Sequence, residues 1–176
     1  MTTAEIAKIA VLSHPAGTLA QENPPPSQFL DAAIEKELYQ DAVQFLAHKM
    51  APRTAIQWAH DCVKALRPPD QKPPDDASLD AVQKWLQFPT DAGRWEAKAA
   101  AEKDGLSSPA DCVAMAVFLN DGSVATAGAP ETAPPAHSAN RMAAGSIMMA
   151  VVSHTPQHAA ERYRQALTMG RALDAA

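Results

Sequence analysis

Aromatic side chains make up only 5% of the 176 residues, and cysteine contributes two. Cys62 and Cys112 lie far apart in sequence, which excludes a disulfide framework and a Cys-based metal knuckle. Charge of one sign is scarce as well. Fifteen basic and 20 acidic residues leave a net charge of -5, without the basic footprint that nucleic acid or an anionic membrane surface requires. No apolar run approaches the roughly 20 residues that span a bilayer. Glu5 and Lys8 interrupt the apolar stretch from Met1 to Leu12, which spoils it as a secretory leader. A phosphate loop, a dinucleotide fingerprint and a zincin motif are all missing, and Gly122-Ser123 has neither the preceding strand nor the lysine of a phosphate loop. The chain is therefore expected to be a cytoplasmic protein with free thiols, no cofactor, no nucleic acid partner and no membrane insertion.

Alanine and proline are abundant. Thirty-eight alanines account for much of the 47% hydrophobic fraction, so the pattern favours close helix packing over a core of large side chains. Fifteen prolines punctuate helix-permitting runs, and almost nothing alternates with the period of a strand. The expected fold class is all-α: an irregular multi-helix bundle or stack of antiparallel helical hairpins, with about eight helices. A short amphipathic helix from Thr3 to Leu12 carries Ile6, Ile9 and Ala10 on one side. It is joined by a Pro-rich, extended connection, Ser13 to Pro26, to a single helical domain over 27–176.

Within that domain, helices are expected from Ser27 to Ile34, Tyr39 to Lys49 and Pro52 to Leu66. Others follow from Asp75 or Asp76 to Phe88, Ala92 to Lys103, Pro109 to Leu119, Ser138 to Ser153, and after Thr155-Pro156. Prolines between Arg67 and Asp76 end the third of these. The sharpest boundary is Ser108-Pro109-Ala110-Asp111, where a hydroxyl cap, a proline at the first helical position and a carboxylate three residues on form a capping-box pattern. Trp95, Ala92 and Ala99 are expected to face inward on their helix. Arg162 is expected to point outward, and His48 to fall off its apolar stripe. The segment from Gly122 to Ala136 has little to bury.

Candidate chemistry is sparse. His154, His158 and Glu161 have metal-ligand chemistry at spacings of four and three residues, although His154 precedes the helix cap and diverges from the other two. Cys62 and Cys112 fall on apolar stripes, which does not suit a nucleophile. His60 and Asp61 beside Cys62 face different ways on a helix, so no triad converges there. Met148 and Met149 read as core. Trp58 sits at the edge of its stripe, consistent with half-buried packing or with an exposed anchor. Trp85 and Trp95 flank Pro89 and are expected to pack on each other. Arg141 follows Pro134, Pro135 and His137, where it braces the loop or clamps a carboxylate.

A set of local motifs resembles an uncharacterised bacterial family of small all-helical proteins, a domain of unknown function. The motifs are Asp41-Ala42-Val43-Gln44-Phe45-Leu46-Ala47-His48, Ile56-Gln57-Trp58-Ala59, Ser108-Pro109-Ala110 with Gly122-Ser123, Pro134-Pro135 with Arg141 and Gly145, and Ala160-Glu161-Arg162-Tyr163 with Leu167 and Gly170. The resemblance covers Ser27 to Asp174. Where the family has paired tryptophans this chain has Gln57-Trp58, which counts against an aromatic binding pair. The resemblance implies an association with type VI secretion gene clusters and brings no catalytic residues.

The reading that follows is a non-enzymatic protein-interaction module, an adaptor, scaffold or chaperone-like accessory protein with an unidentified protein partner. Ile6 and Ile9 would anchor its first helix, and Trp58 and Arg141 are candidate surface contacts. The alternative is a metal-dependent helical hydrolase built on His154, His158 and Glu161. A third is a self-associating structural module, with a homo-oligomer contact on the faces of the helices at 52–66 and 138–153.

Overall fold

A computed structural model describes residues 1–67, 76–103, 105–153 and 155–175. Most of the predicted loop between Arg67 and Asp76, the alternative cap Asp75, the predicted stop residue Asp104 and the candidate ligand His154 lie outside the described residues. Among the described residues there is no strand, and ten α-helices and one 3-10 turn make an irregular bundle. The helices are α1 (Thr3–Ala10), α2 (His14–Gln21), α3 (Pro26–Glu35), α4 (Tyr39–Lys49), α5 (Pro52–Ala65), α6 (Ala77–Gln87), α7 (Asp91–Lys103), α8 (Pro109–Phe118), α9 (Ser138–Val152) and α10 (Ala159–Asp174), with the 3-10 turn at Pro156–His158. The packing is not sequential. α9 lies against α4, α5, α8 and α10, and α6, α7 and α8 pack on one another at one end.

Small side chains explain why α9 takes the centre. Ala143, Ala144, Ser146, Ile147 and Val151 are all fully buried, so neighbouring backbones approach closely on several sides. Asn140 near its start donates from Nδ2 to the carbonyls of Ala47 at 2.7 Å and Met50 at 3.1 Å. Those acceptors belong to the C-terminal end of α4, which has no intrahelical donors left for them. At the other end of α9, Arg162 donates to the carbonyls of Ser153 (2.6 Å), Ala150 (2.9 Å) and Leu66, and to Thr155 Oγ1 (2.7 Å). Arg162 is therefore buried, not outward-facing, and it ties the ends of α5 and α9 to α10. Its burial lowers the guanidinium pKa.

The Ser108 boundary forms as expected. Ser108 Oγ accepts from Asp111 N at 3.2 Å, and Asp111 Oδ2 accepts from Ser108 N at 3.0 Å. The other carboxylate oxygen, Oδ1, accepts from Ser78 Oγ at 2.7 Å, so one aspartate caps α8 and also fastens α6 to it.

The N-terminal segment differs from the expectation. Residues 13–26 are not an extended connection: they contain α2, started at Ser13 with Pro15 in its first turn and held by burial of Ala16 and Ala20. The first helix is docked. Thr2 and Glu5 form a capping box, Ile6 is fully buried, and both Ser13 N and Ser13 Oγ donate to the Asp41 carboxylate at 2.7 and 2.8 Å. Burial of one isoleucine contributes about 2 kcal/mol, enough with these tethers to hold a helix too short to persist alone.

Candidate functional site

The irregular segment between α8 and α9 is shaped by Arg94. Thr90 Oγ1 accepts from Gly93 N at 3.1 Å and starts α7, which turns Arg94 into the protein, where it is 2% exposed. Its guanidinium is bonded to Asp91 Oδ1 within its own first turn. It donates to the carbonyl of Phe118, where α8 ends, at 2.8 Å, and to that of Ser123 at 3.4 Å. Asp121 Oδ1 stands 3.4 Å from Nε. The guanidinium carbon also lies 5.5 Å from the centre of the Phe118 ring. Gly122 completes the fit: it has φ +66°, and a Cβ there would collide with the Arg94 guanidinium.

Beyond Gly122 the chain closes on itself. Ser123 Oγ accepts from Ala125 N at 3.1 Å and Thr132 N at 3.0 Å, and Val124 N donates to Thr132 O at 2.8 Å. This folded loop and α7 enclose an open cleft of about 740 Å³, whose lining includes Asp91, Trp95, Gly122, Thr126, Glu131 and Thr132. A second cleft of about 400 Å³ is lined by Trp85, Pro89, Thr90, Asp91, Arg94, Asp121 and Gly122, and so shares Asp91 and Gly122 with the first. Immediately before Pro89, at the end of α6, Phe88 is 72% exposed.

The sequence-derived candidates fall elsewhere. Trp58 is not a surface contact: it is fully buried, and its Nε1–H donates to Ala166 O at 2.8 Å. Ile6 is buried and Ile9 half-buried, both on the docked α1. Arg141 is exposed, and its Nη2 donates to Ala136 O at 2.7 Å, which is the loop-bracing geometry. His158 Nδ1 and Glu161 Oε2 stand 3.8 Å apart and both are exposed. Among the described residues no group of three or more metal-ligating side chains converges.

Cys62 is fully buried, and burial, with the Asp61 charge second, raises its thiol pKa. Cys112 is half-buried, with its Sγ 3.6 Å from Met149 Sδ; burial and then the Asp111 charge raise its pKa too. His60 and Asp61 do meet, contrary to the helix-face expectation, with Nδ1 and Oδ1 2.9 Å apart. Trp95 pairs edge-on with Phe118, ring centres 4.9 Å apart, while Trp85 lies against Gly93, one turn before Ala97. Ala92 and Ala99 are exposed, and Gly93, Arg94, Ala97 and Ala101 form the buried face of α7.

Sequence reasoning missed Arg94, Phe88, Asp121 and Glu131. The signals available were an Asp91/Arg94 pair one turn apart, an apolar residue stranded before a proline, and a glycine directly after Asp121.

In comparisons with known proteins, residues 29–174 match the model of a family of unknown function, DUF6931. No curated protein and no solved structure matches the chain.

Proposed function

The chain belongs to that family, and from this premise we propose that it is a protein-interaction module that docks a segment of another protein along the face made by Phe88 and the two clefts. The observation that carries this reading is Phe88. A phenylalanine 72% exposed forfeits about 2 kcal/mol of burial unless something covers it, and it directly precedes Pro89, which lines the smaller cleft together with the buried Arg94. Aromatic anchors beside a pocket are where binding energy concentrates. The cleft is shaped before any partner arrives, because the Arg94 bonds fix the loop against α7, and pre-formed sites lose less entropy on binding.

Adaptor or accessory roles fit such a surface. The setting we propose is the bacterial cytoplasm and the type VI secretion apparatus, supported by the motif set running from Asp41 to Gly170, which lies within the matched residues. No described helix is long and apolar enough to cross a membrane.

Site-specific photo-crosslinking in the native host tests the reading. A photoreactive residue at position 88 is expected to yield one discrete adduct, identified by mass spectrometry, whose purified component binds the wild-type chain and binds Phe88→Ser at least about tenfold more weakly. An adduct pattern equal to that from the exposed position 36 on the α3–α4 connection would overturn it.

A further inference from the structure

Resting on that docking reading, we infer that the segment taken up by the clefts is an extended, positively charged one, with lysine or arginine flanking an apolar residue that packs on Phe88.

Charge supplies the first half. Asp91, Asp121 and Glu131 line the two clefts, and Arg94 is the one cation among the described lining residues. Arg94 does not present its charge outward. Its side chain is 2% exposed, and the Asp91 and Asp121 side chains that flank it are 72% and 69% exposed. The nearby lysines are already engaged: Lys98 holds Glu102 at 2.7 Å and lies 5.8 Å from the centre of the Trp95 ring, and Lys84 holds Glu96 at 2.6 Å. Three carboxylates thus line the clefts against one buried guanidinium, whose Nη1 is engaged by Asp91 and Nη2 by two carbonyls, while Nε, without a hydrogen-bond partner, has Asp121 Oδ1 3.4 Å away. A ligand carrying positive charge meets complementary potential here, and one carrying negative charge is repelled.

The lining supplies the second half. A helix docking into a groove needs a run of large apolar contacts at helical spacing. No leucine, isoleucine, valine or methionine lines either cleft. The larger one has a single aromatic, Trp95, and a wall of glycine, alanine, serine and threonine. Such a wall offers main-chain and hydroxyl groups, the partners of an extended backbone. The same lining leaves too little apolar surface to enclose a small organic ligand.

Three labelled peptides of identical length test this on the full-length protein: an extended Arg-Ala-Arg-Leu-Arg-Ala-Arg segment, its Glu-for-Arg counterpart and its Gln-for-Arg counterpart. Fluorescence anisotropy gives affinity, and amide and indole NMR shifts give location. The basic peptide is expected to bind about tenfold more tightly than the neutral one and to shift Trp95, Gly122 and Gly128. Its affinity should fall several-fold when ionic strength rises past about 0.3 M. Glu131→Gln and Asp121→Asn, which leave the Arg94–Asp91 pair intact, are each expected to weaken it about threefold.

Equal binding of all three peptides at those residues would overturn the charge inference and leave the docking reading standing. Preference for the acidic peptide would do the same. Shifts confined to other faces, or no shift at all, would overturn both.

Discussion

Trp58 and Gly170 occupy one space: a Cβ on Gly170 would come within 2.5 Å of Trp58 Cε2, so the indole lies flush on the backbone of α10. One turn back on that helix, Ala166 O accepts the indole N–H at 2.8 Å. Gly170→Ala is therefore expected to cost about 1–3 kcal/mol by overpacking, read as a lower denaturant midpoint with an unchanged slope. Trp58→Phe relieves the crowding and loses the bond, so the double variant should be less destabilised than the sum of the two single ones.

Arg94 is expected to govern the α8–α9 loop locally. Arg94→Met leaves the Phe118 and Ser123 carbonyls without their donor, at about 1–3 kcal/mol for an unmet buried acceptor. Hydrogen exchange should accelerate over residues 119–133 with little change in α9. Gly122→Ala meets both the left-handed φ and the guanidinium and should show the same local signature. Uniform acceleration across the chain in either variant would contradict this division.

His48 makes stability depend on pH. It is buried, Nδ1–H donates to Gln44 O at 2.8 Å, and Nε2 has no partner. Burial lowers its pKa from the ordinary 6.5, the Gln44 bond opposes this, and the charges of His137 and Arg141 on the α9 side lower it further. The unfolded chain therefore takes up the proton more readily. This contribution to stability is complete above pH 6.5 and is lost as pH falls from there through the folded-state value. His48→Gln should flatten that part of a stability–pH curve measured by urea unfolding, whereas a curve of unchanged slope would remove His48 as the cause.

Asp111 is expected to be worth more than an ordinary helix cap. Asp111→Ala removes the carboxylate half of the capping box, with its bonds from Ser107 N and Ser108 N, together with the Ser78 bond, so it should cost about 2 kcal/mol. Ser108→Ala removes the other half, the bond from Asp111 N to Ser108 Oγ, and should cost about 1 kcal/mol. Ser78→Ala isolates the contact between α6 and α8 and is expected to cost about 1 kcal/mol; no cost, from thermal or denaturant unfolding, would show that the Ser78 contact contributes nothing.

The helical class and the Ser108 boundary were legible because period and capping chemistry are local. The ends of α4 and α5 were legible for the same reason. α2 was not, because Pro15 and Gly17 look like breakers until Ala16 and Ala20 find α1 and α3 to bury against. The inner face of α7 was misread because alanine marks both faces of that helix. What settles its rotation is Arg94, a charged residue drawn inward by carbonyls 24 and 29 residues away in sequence. Arg162 was misread on the same ground: its acceptors sit at the ends of α5 and α9. The cleft itself was illegible, since Gly122 to Ala136 has no period and its carboxylates come together only through tertiary contacts. Trp58 looked like a candidate anchor because a helical wheel does not reveal that α10 supplies a glycine to receive the ring.

Hydrogen exchange of the full chain with and without its crosslinked partner, purified, tests the docking face most directly. Slowed exchange confined to residues 87–95 and 121–133 is the predicted result. Protection appearing instead on α1, α10 or the exposed side of α5, with those two segments unchanged, would contradict it.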